Sequence, residues 1–344
     1  METEYRKLAS IQKISNLSPI EGADRIEAAK ILGWTVVVKK GEFQVGDSCV
    51  YFEIDSLLKP EPWNDFLQKK KGTDPIRLRT IRLKGVLSQG LALSPLMFNK
   101  LEGLELFEGM DVTTILDVTK WEPATTFNAK DQPKGNFPHY VPKTDTLRIQ
   151  AYPNILTELY DLEVYGTIKV DGTSTTFYFK DGTFGACSRN LELKDVEGSK
   201  YWEMAKKYDI EAKLKAYNIS TGKNIAIQCE TYGPTIQKNP LDNKAVEIAV
   251  FDIWDIDNQK YFDYFSMVSL CQDFNIPMVK TVYLGRFNFE SVEDVLHYAD
   301  DLTYPNGSPA EGIVFRPTVE AYSYVLKGRM AIKAISNKFL MLHE

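Results

Sequence analysis

Cysteine and histidine are scarce in this chain: its 344 residues include four cysteines (Cys49, Cys187, Cys229, Cys271) and three histidines (His139, His297, His343). The cysteines lie far apart and form no CxxC pair, which argues against a Cys/His zinc site or a disulfide framework and points to a reducing, intracellular setting. No constellation of partners surrounds any histidine, so histidine-based catalysis is not expected. No apolar run approaches the roughly 18 residues of a membrane helix, and the opening Met1-Glu2-Thr3-Glu4-Tyr5-Arg6 is too polar for a secretory signal. An excess of positive charge is also missing, the net charge being −6. What remains is the composition of a soluble globular protein, 44% hydrophobic, 12% aromatic and 26% charged. The length suits about two domains of roughly 100–200 residues each.

The charge is unevenly spread. Residues 1–120 carry 17 basic and 17 acidic side chains, residues 121–344 carry 24 and 30, so the whole deficit lies in the second part. Within the first, Lys69-Lys70-Lys71, Arg77, Arg79, Arg82 and Lys84 surround a single Asp74. Screening limits distant charge to about 10 Å, so such a patch can meet phosphates whatever the global sum. A solvated cationic face is the alternative.

The first 120 residues read as short strands separated by turns. Trp34–Val38 is β-branched and followed by Lys40-Gly41, Ser48–Ile54 follows Gly46-Asp47, and Ile76–Ile81 alternates apolar and polar residues. Leu17–Ala29 has room for one helical turn. Such spacing suggests a small closed β-barrel. Between residues 121 and 144, Pro123, Pro133, Pro138 and Pro142 mark a linker. The remainder, 145–344, mixes strands (Val164–Val170, Ser174–Phe179, Thr183–Cys187, Ile225–Gln228, Val246–Trp254, Gly312–Arg316) with helices expected over 197–217, 262–274 and 292–302. An Asp181-Gly182 hairpin turn joins two of the strands. That is an α+β domain.

The chemistry is concentrated in Lys169-Val170-Asp171-Gly172-Thr173-Ser174, between two strand-like runs. A lysine among apolar neighbours disfavours its charged form, and a neutral amine is a nucleophile. Asp171 stands two residues on, where it could organise a metal, and Gly172 permits a tight turn. Alone, a KxDG run equally fits a surface lysine beside a turn. Further segments follow in a specific order: Glu230 at the end of a buried strand, Phe251 within Ala249-Val250-Phe251-Asp252-Ile253, Glu311-Gly312-Ile313-Val314-Phe315-Arg316, and Ile332-Lys333.

This ordered set resembles the covalent nucleotidyltransferases, the polynucleotide ligases and mRNA capping enzymes, across roughly Arg148 to Phe339. Gly233-Pro234-Thr235-Ile236-Gln237-Lys238 and Ser336-Asn337-Lys338-Phe339 are similar to the RNA-repair branch. Lys143–Gln150, Leu78–Gly85 and Ser88-Gln89-Gly90-Leu91 resemble the Deinococcus-type ATP-dependent RNA ligases. That family implies an N-terminal OB-fold β-barrel binding nucleic acid (1–120), a linker (121–144) and an adenylyltransferase domain (145–344). The catalytic domain would be an ATP-grasp-like ligase fold of antiparallel sheets with flanking helices, α+β overall.

The resemblance also implies the chemistry. Lys169 would attack the α-phosphorus of ATP to give lysyl–AMP. AMP would pass to a 5′-phosphate end, and a 3′-hydroxyl would then seal an RNA nick in a duplex. Asp171, Glu230 and Glu311 would hold magnesium or manganese. Lys333 would contact the α-phosphate, Phe251 would stack on adenine, and Arg189 would grip ribose or 5′-phosphate. Arg148, Gln150 and Glu230 would lie at the nucleotide, with backbone contacts from Thr167 and Ile168. Lys327 would supply a second phosphate-binding cation, since Ile335 stands where some relatives have lysine. Arg77, Arg79, Arg82 and Lys84 would meet RNA, with the protein acting as a monomer and no membrane involved. A departure is Cys229, where related ligases commonly have glycine.

Overall fold

A computed structural model describes residues 6–68, 74–122 and 130–343. The chain divides into two compact units, residues 1–124 and 125–343. The Lys69-Lys70-Lys71 run and the first part of the expected linker, 123–129, lie outside the described residues.

Unit 1 carries β1 (Ala9–Lys13), β2 (Asn16–Pro19), β3 (Ile26–Ile31), β4 (Trp34–Lys39), β5 (Ser48–Phe52), β6 (Ser56–Leu58), β7 (Ile76–Arg77), β8 (Thr80–Leu83), β9 (Val86–Gln89), β10 (Leu91–Leu93) and β11 (Thr119–Lys120). They pair into short antiparallel sheets, β1-β5-β10, β2-β3-β4, β11-β6-β7 and the hairpin β8-β9. Ile11, Val50, Phe52, Leu58 and Leu93 meet in one core. The helical turn expected within Leu17–Ala29 is absent: both ends of that segment are strand, joined by a turn through Gly22, and β3 is held in a ladder on both sides, by β2 and by β4. The strand expected over Ile76–Ile81 breaks at Leu78, which leaves the ladder to bury its side chain in the core and donates its N–H to Ser56 O.

Unit 2 contains β12 (Pro133–Asn136), β13 (Leu147–Arg148), α1 (Ile155–Leu159), β14 (Glu163–Lys169), β15 (Thr173–Lys180), β16 (Thr183–Cys187), β17 (Leu191–Leu193), α2 (Lys200–Lys207) and α3 (Ile210–Thr221). It continues through β18 (Ile225–Tyr232), β19 (Glu247–Asp255), β20 (Lys260–Tyr261), α4 (Tyr264–Asp273), β21 (Thr281–Arg286) and α5 (Val292–Asp301). The last elements are β22 (Gly312–Pro317), β23 (Tyr322–Ser323), β24 (Gly328–Arg329), β25 (Ile332–Ile335) and α6 (Asn337–His343). A seven-stranded sheet runs β12-β17-β16-β15-β18-β19-β20, and a five-stranded one runs β13-β25-β22-β14-β21. The first buries one face under α2, α3 and α4 and the second packs on α1 and α5, giving two apolar cores.

Local chemistry sets several boundaries. Asp181 (φ 49°) and Gly182 (φ 80°) both adopt the left-handed conformation of a two-residue hairpin turn. Ser291 and Asp294 cap α5 reciprocally, each side chain accepting the other's backbone N–H. The helix expected over 197–217 is two helices, because Asp209 takes a left-handed φ of 51° between α2 and α3. The proline-rich composition of 121–144 does not make a tether of its second half. Pro133–Asn136 pairs with β17, Trp254 Nε1 donates to Tyr140 O (2.9 Å), and Gln228 Nε2 donates to Pro142 O (2.6 Å).

Candidate active site

The facing surfaces of the two sheets place the motif residues by strand alternation. In the five-stranded sheet, Thr167, Val314, Lys333 and Arg148 form one cross-strand row, and Lys169 lies two residues along β14, opposite Gly312. All point to one side, while Ile168, Ile313 and Ala334 point into the cores behind. In the seven-stranded sheet, Glu230 pairs with Ser174 on β15 and Ala249 on β19.

Lys169 Nζ donates to Glu311 Oε2 at 2.6 Å, with the two side chains 26% and 16% exposed. Burial works against its charge, but Glu311, Glu230 and Asp171 outweigh it, so the ammonium is held more firmly than a free lysine's. This corrects the expectation from sequence that desolvation leaves the amine neutral: three carboxylates decide the matter. They in turn are crowded. Burial, with Glu311 and Asp171 adding to it and Lys169 opposing, pushes the Glu230 carboxyl up to about 8. Burial followed by Glu311 raises Asp171 to about 6. Across the row, burial and then the charges of Lys169 and Arg148 pull Lys333 down to about 7. The site is a juxtaposition of excess negative charge around one amine and excess positive charge around another.

Two glycines allow the approach. A Cβ on Gly172 would lie 2.5 Å from Thr231 O and 2.8 Å from Glu230 Cγ, so the turn after the lysine presses on β18 rather than on a ligand. A Cβ on Gly312 (φ 153°) would lie 2.1 Å from Ala334 O, so β22 sits hard against β25. β14 ends at Lys169, which places Asp171 in the turn and not on a continued strand.

The residues proposed for nucleotide and metal contact are treated unequally. Gln150 is fully buried with neither amide atom hydrogen-bonded, a polar group awaiting a partner. Phe251 is the extra residue of a β-bulge, since Gln228 pairs with Asp252 and Cys229 with Val250, and its half-buried ring packs beside Val170 and Val279. Arg189 is exposed, ion-paired with Asp145 at 2.6 Å, and its charge reaches Glu230. Thr167 is buried on β14, and the Ile168 N–H is spent on Lys280 O (2.9 Å), so that donor is not available to a base. Lys327 lies exposed on the turn between β23 and β24 (φ 54°) with no side-chain partner among the described residues. In unit 1, Arg77 is taken up internally, paired with Asp55 (2.6 Å) and stacked on Trp121 (3.3 Å), whereas Arg79, Arg82 and Lys84 are exposed on or beside the β8-β9 hairpin.

Among the described residues no three His, Cys, Asp or Glu side chains already converge as a cation cage. The donor chemistry nevertheless fits one. Asp171, Glu230 and Glu311 are hard oxygen ligands whose mutual repulsion a divalent cation would relieve.

Sequence reasoning passed over two features. Tyr304, 2% exposed, donates from Oη to Lys169 O (2.9 Å) and accepts from Asp171 N (3.2 Å) and Glu311 N (3.1 Å). Its partners are all backbone, so no residue pattern announces it. Asp252 binds Arg329 through two hydrogen bonds (2.8 and 2.7 Å) and Arg316 through one (3.2 Å), and Arg329 also binds Glu320 (Nε, 3.0 Å). This clamp joins β19 of one sheet to β22 of the other. Its only signal was the arginine closing the Glu311–Arg316 run.

Comparison with known proteins agrees with this architecture. A family model described as an OB-fold domain matches residues 8–96, and one described as RNA ligase matches residues 162–335. Solved structures of Naegleria gruberi RNA ligase superpose over both units. A lysine-to-methionine mutant with AMP and Mn has a TM-score of 0.88 at 35% identity, covering 98% of this chain and 99% of that one. A lysine-to-alanine mutant with ATP and Mn gives the same values. The enzyme with PPi has a TM-score of 0.87 at 36% identity, again over 98% and 99%. A comparison with curated protein sequences returns no match. No helix among the described residues is long and apolar enough to cross a membrane. With an OB-fold unit followed by the ligase unit, a lysine set among carboxylates on its facing sheets and relatedness over nearly the whole length, the chain belongs to the RNA ligase family.

Proposed function

We propose that the protein is an ATP-dependent RNA ligase that joins 3′-hydroxyl to 5′-phosphate ends, acting at nicks in duplexes through lysyl–AMP and RNA-adenylate intermediates. The observation that carries this reading is the Lys169–Glu311 pair, ringed by Asp171 and Glu230 and faced by Lys333. The Naegleria structures contain ATP, AMP, PPi and Mn, which supports ATP as substrate and a divalent cation, manganese or magnesium, as cofactor.

Asp171, Glu230 and Glu311 would hold that cation, which neutralises carboxylate charge and polarises phosphate oxygens when bound. The chain's own residues do the rest. Lys169 must shed a proton before its lone pair can attack, and Glu311 Oε2 is the acceptor within reach at 2.6 Å. The Lys169 N–P bond then forms as the bond to pyrophosphate breaks. A phosphate beside Lys333 restores the charge that burial and its cationic neighbours suppress. Arg148 stands in the same row with Gln150 two residues beyond it, and Phe251 offers a ring face to adenine. Positioning and charge neutralisation account for most of the catalysis in such displacements.

Unit 1 would bind the RNA through Arg79, Arg82 and Lys84. Changing Arg79 and Arg82 to Glu should impair sealing while sparing AMP transfer to Lys169, and equal loss of both steps would refute that division. The deciding experiment is sealing of a 5′-phosphorylated nick with ATP and manganese, comparing ribose and deoxyribose at the 3′-hydroxyl side. Sealing confined to the ribose substrate is expected. Equal sealing of an all-DNA nick would make this a DNA ligase.

A further inference from the structure

Tyr304 lies in the connection between α5 and β22, in a turn closed by Tyr304 N to Ser308 O (2.9 Å) and Gly307 N to Tyr304 O (2.9 Å). Asn306 and Ser308 both bind Pro240 O at 2.8 Å, which anchors the turn to the loop after β18. The ring is packed against Ile168, Ala310 and Phe339. Packing alone would be served equally by phenylalanine, so the hydroxyl calls for a separate reason.

That reason is in its partners. The β14-β22 ladder ends at Lys169 opposite Gly312. Just past that end, the Tyr304 hydroxyl takes the carbonyl of Lys169 and the amides of Asp171 and Glu311. A phenol has one proton to donate and two lone pairs to accept with, and here all three are used. The Lys169–Glu311 ion pair fixes an amine at the end of a flexible four-carbon stem. It does not fix the backbone from which that stem springs. Tyr304 supplies that constraint, holding the backbone of Lys169 and Asp171, on either side of Val170, to the backbone of the carboxylate that receives the lysine side chain.

We propose that Tyr304 is a positioning residue for AMP transfer, its hydroxyl setting the reach and aim of Lys169 relative to Glu311. The inference rests on Lys169 being the nucleophile, as proposed above. A nucleophile displaced by about 1 Å loses roughly 100-fold in rate. Removing one atom, the Tyr304 oxygen, should therefore act on the chemical step and not on ATP binding.

The test is Y304F in the full chain, followed by rapid-quench transfer of AMP from α-labelled ATP to the protein over a range of ATP concentrations with manganese. The maximal rate constant should fall about 10- to 100-fold, with KM for ATP and Tm close to those of the unaltered chain. Phe339→Leu loosens the same packing but keeps the hydroxyl, and should lower Tm without lowering the rate. A Y304F protein that transfers AMP at the normal rate would overturn the proposal. So would one that only raises KM, one that does not fold, or one whose loss Phe339→Leu reproduces at equal Tm. Absence of transfer in the unaltered chain is a different result, which would overturn the ligase reading itself.

Discussion

Two polar clusters lie between the sheets of unit 2, built from the same kinds of residue, and their electrostatics are opposite. Around Asp252, two arginines face two carboxylates. Burial opposes ionisation of Asp252, yet Arg316 and Arg329 hold its carboxyl below the usual range. Of the two carboxyls, Glu320 is pushed up, by burial against the pull of Arg329, and Arg329 in turn holds its proton more firmly. Around Lys169, three carboxylates share one directly bonded amine, and two of them are driven well above their ordinary values. The first cluster balances its charges internally, although Arg316 Nε and Nη1 are buried without a hydrogen-bond partner. The second is left uncompensated on both sides, negative about Lys169 and positive about Lys333, as suits a metal and a polyphosphate that bring the missing charges. A buried charge cluster is structural or functional according to whether its charges already balance.

Four changes would break or sharpen that contrast. The largest effect should come from Lys169→Met, which removes the proposed nucleophile and should abolish covalent AMP uptake from labelled ATP while leaving a cooperatively folding protein. Uptake persisting in this variant would move the chemistry to another residue. Arg329→Met should act the other way round. Breaking a buried pair costs about 3–5 kcal/mol, to be read by urea denaturation, while the folded fraction keeps its KM for ATP. A large KM change at unaltered stability would erase the distinction between the clusters.

Glu311→Gln should slow AMP transfer roughly 100- to 1,000-fold, the scale for losing one group aimed at developing charge. It should also make Lys169 more reactive towards an amine-acylating reagent without ATP, because Glu311 is its strongest charge partner. The smallest effect is thermal. Glu230 and Asp171 are raised above their unfolded values, so these two groups hold more protons in the native chain than in the unfolded one between about pH 4 and 8, while Lys333, lowered to about 7, works the other way above that pH. Stability from the two carboxyls is present at low pH and is lost as pH rises through about 6 and then about 8. The ligand-free protein should therefore lose a few degrees of Tm between about pH 4 and 7, below the range in which Lys333 offsets Glu230, and manganese should recover more of it at pH 7 than at pH 5. A Tm gain from manganese that is independent of pH would count against these two carboxylates as its ligands.

Elements with a local cause were legible in the sequence. The Asp181-Gly182 turn, the apolar runs of β18 and β19 and the ordered motifs of the ligase unit depend on residue type at fixed spacing, and the structure places them accordingly. Features decided by neighbours distant in sequence were not. The break at Asp209 needs a backbone conformation that helix-forming neighbours on either side conceal. β21 has no apolar alternation to announce it, with Leu284 exposed, and Pro133–Asn136 is a strand only because β17 offers it an edge. At the site, the identities of Lys169, Glu230, Glu311 and Lys333 were readable, but not their charge states, which follow from which carboxylates converge. Arg77 looked like part of a cationic patch until Asp55 and Trp121 accounted for it. Tyr304 gave no signal, since its hydrogen bonds go to atoms that every residue possesses.

Cys229 stands immediately before Glu230 on a strand whose successive side chains face opposite ways. The carboxylate therefore faces Lys169 and its carboxylate neighbours, while the thiol is buried in the core behind it, its sulfur against Thr175 O at 3.6 Å. Burial pushes that thiol well above its ordinary range, as it does the other three, to about 12 at Cys49 and Cys271. One peptide unit thus separates the carboxylate face of the strand from a thiol closed off from solvent. An oxidant that enters the cleft meets no thiolate, so sealing should proceed without added reductant, and thiol reagents should inactivate the enzyme only as fast as it unfolds.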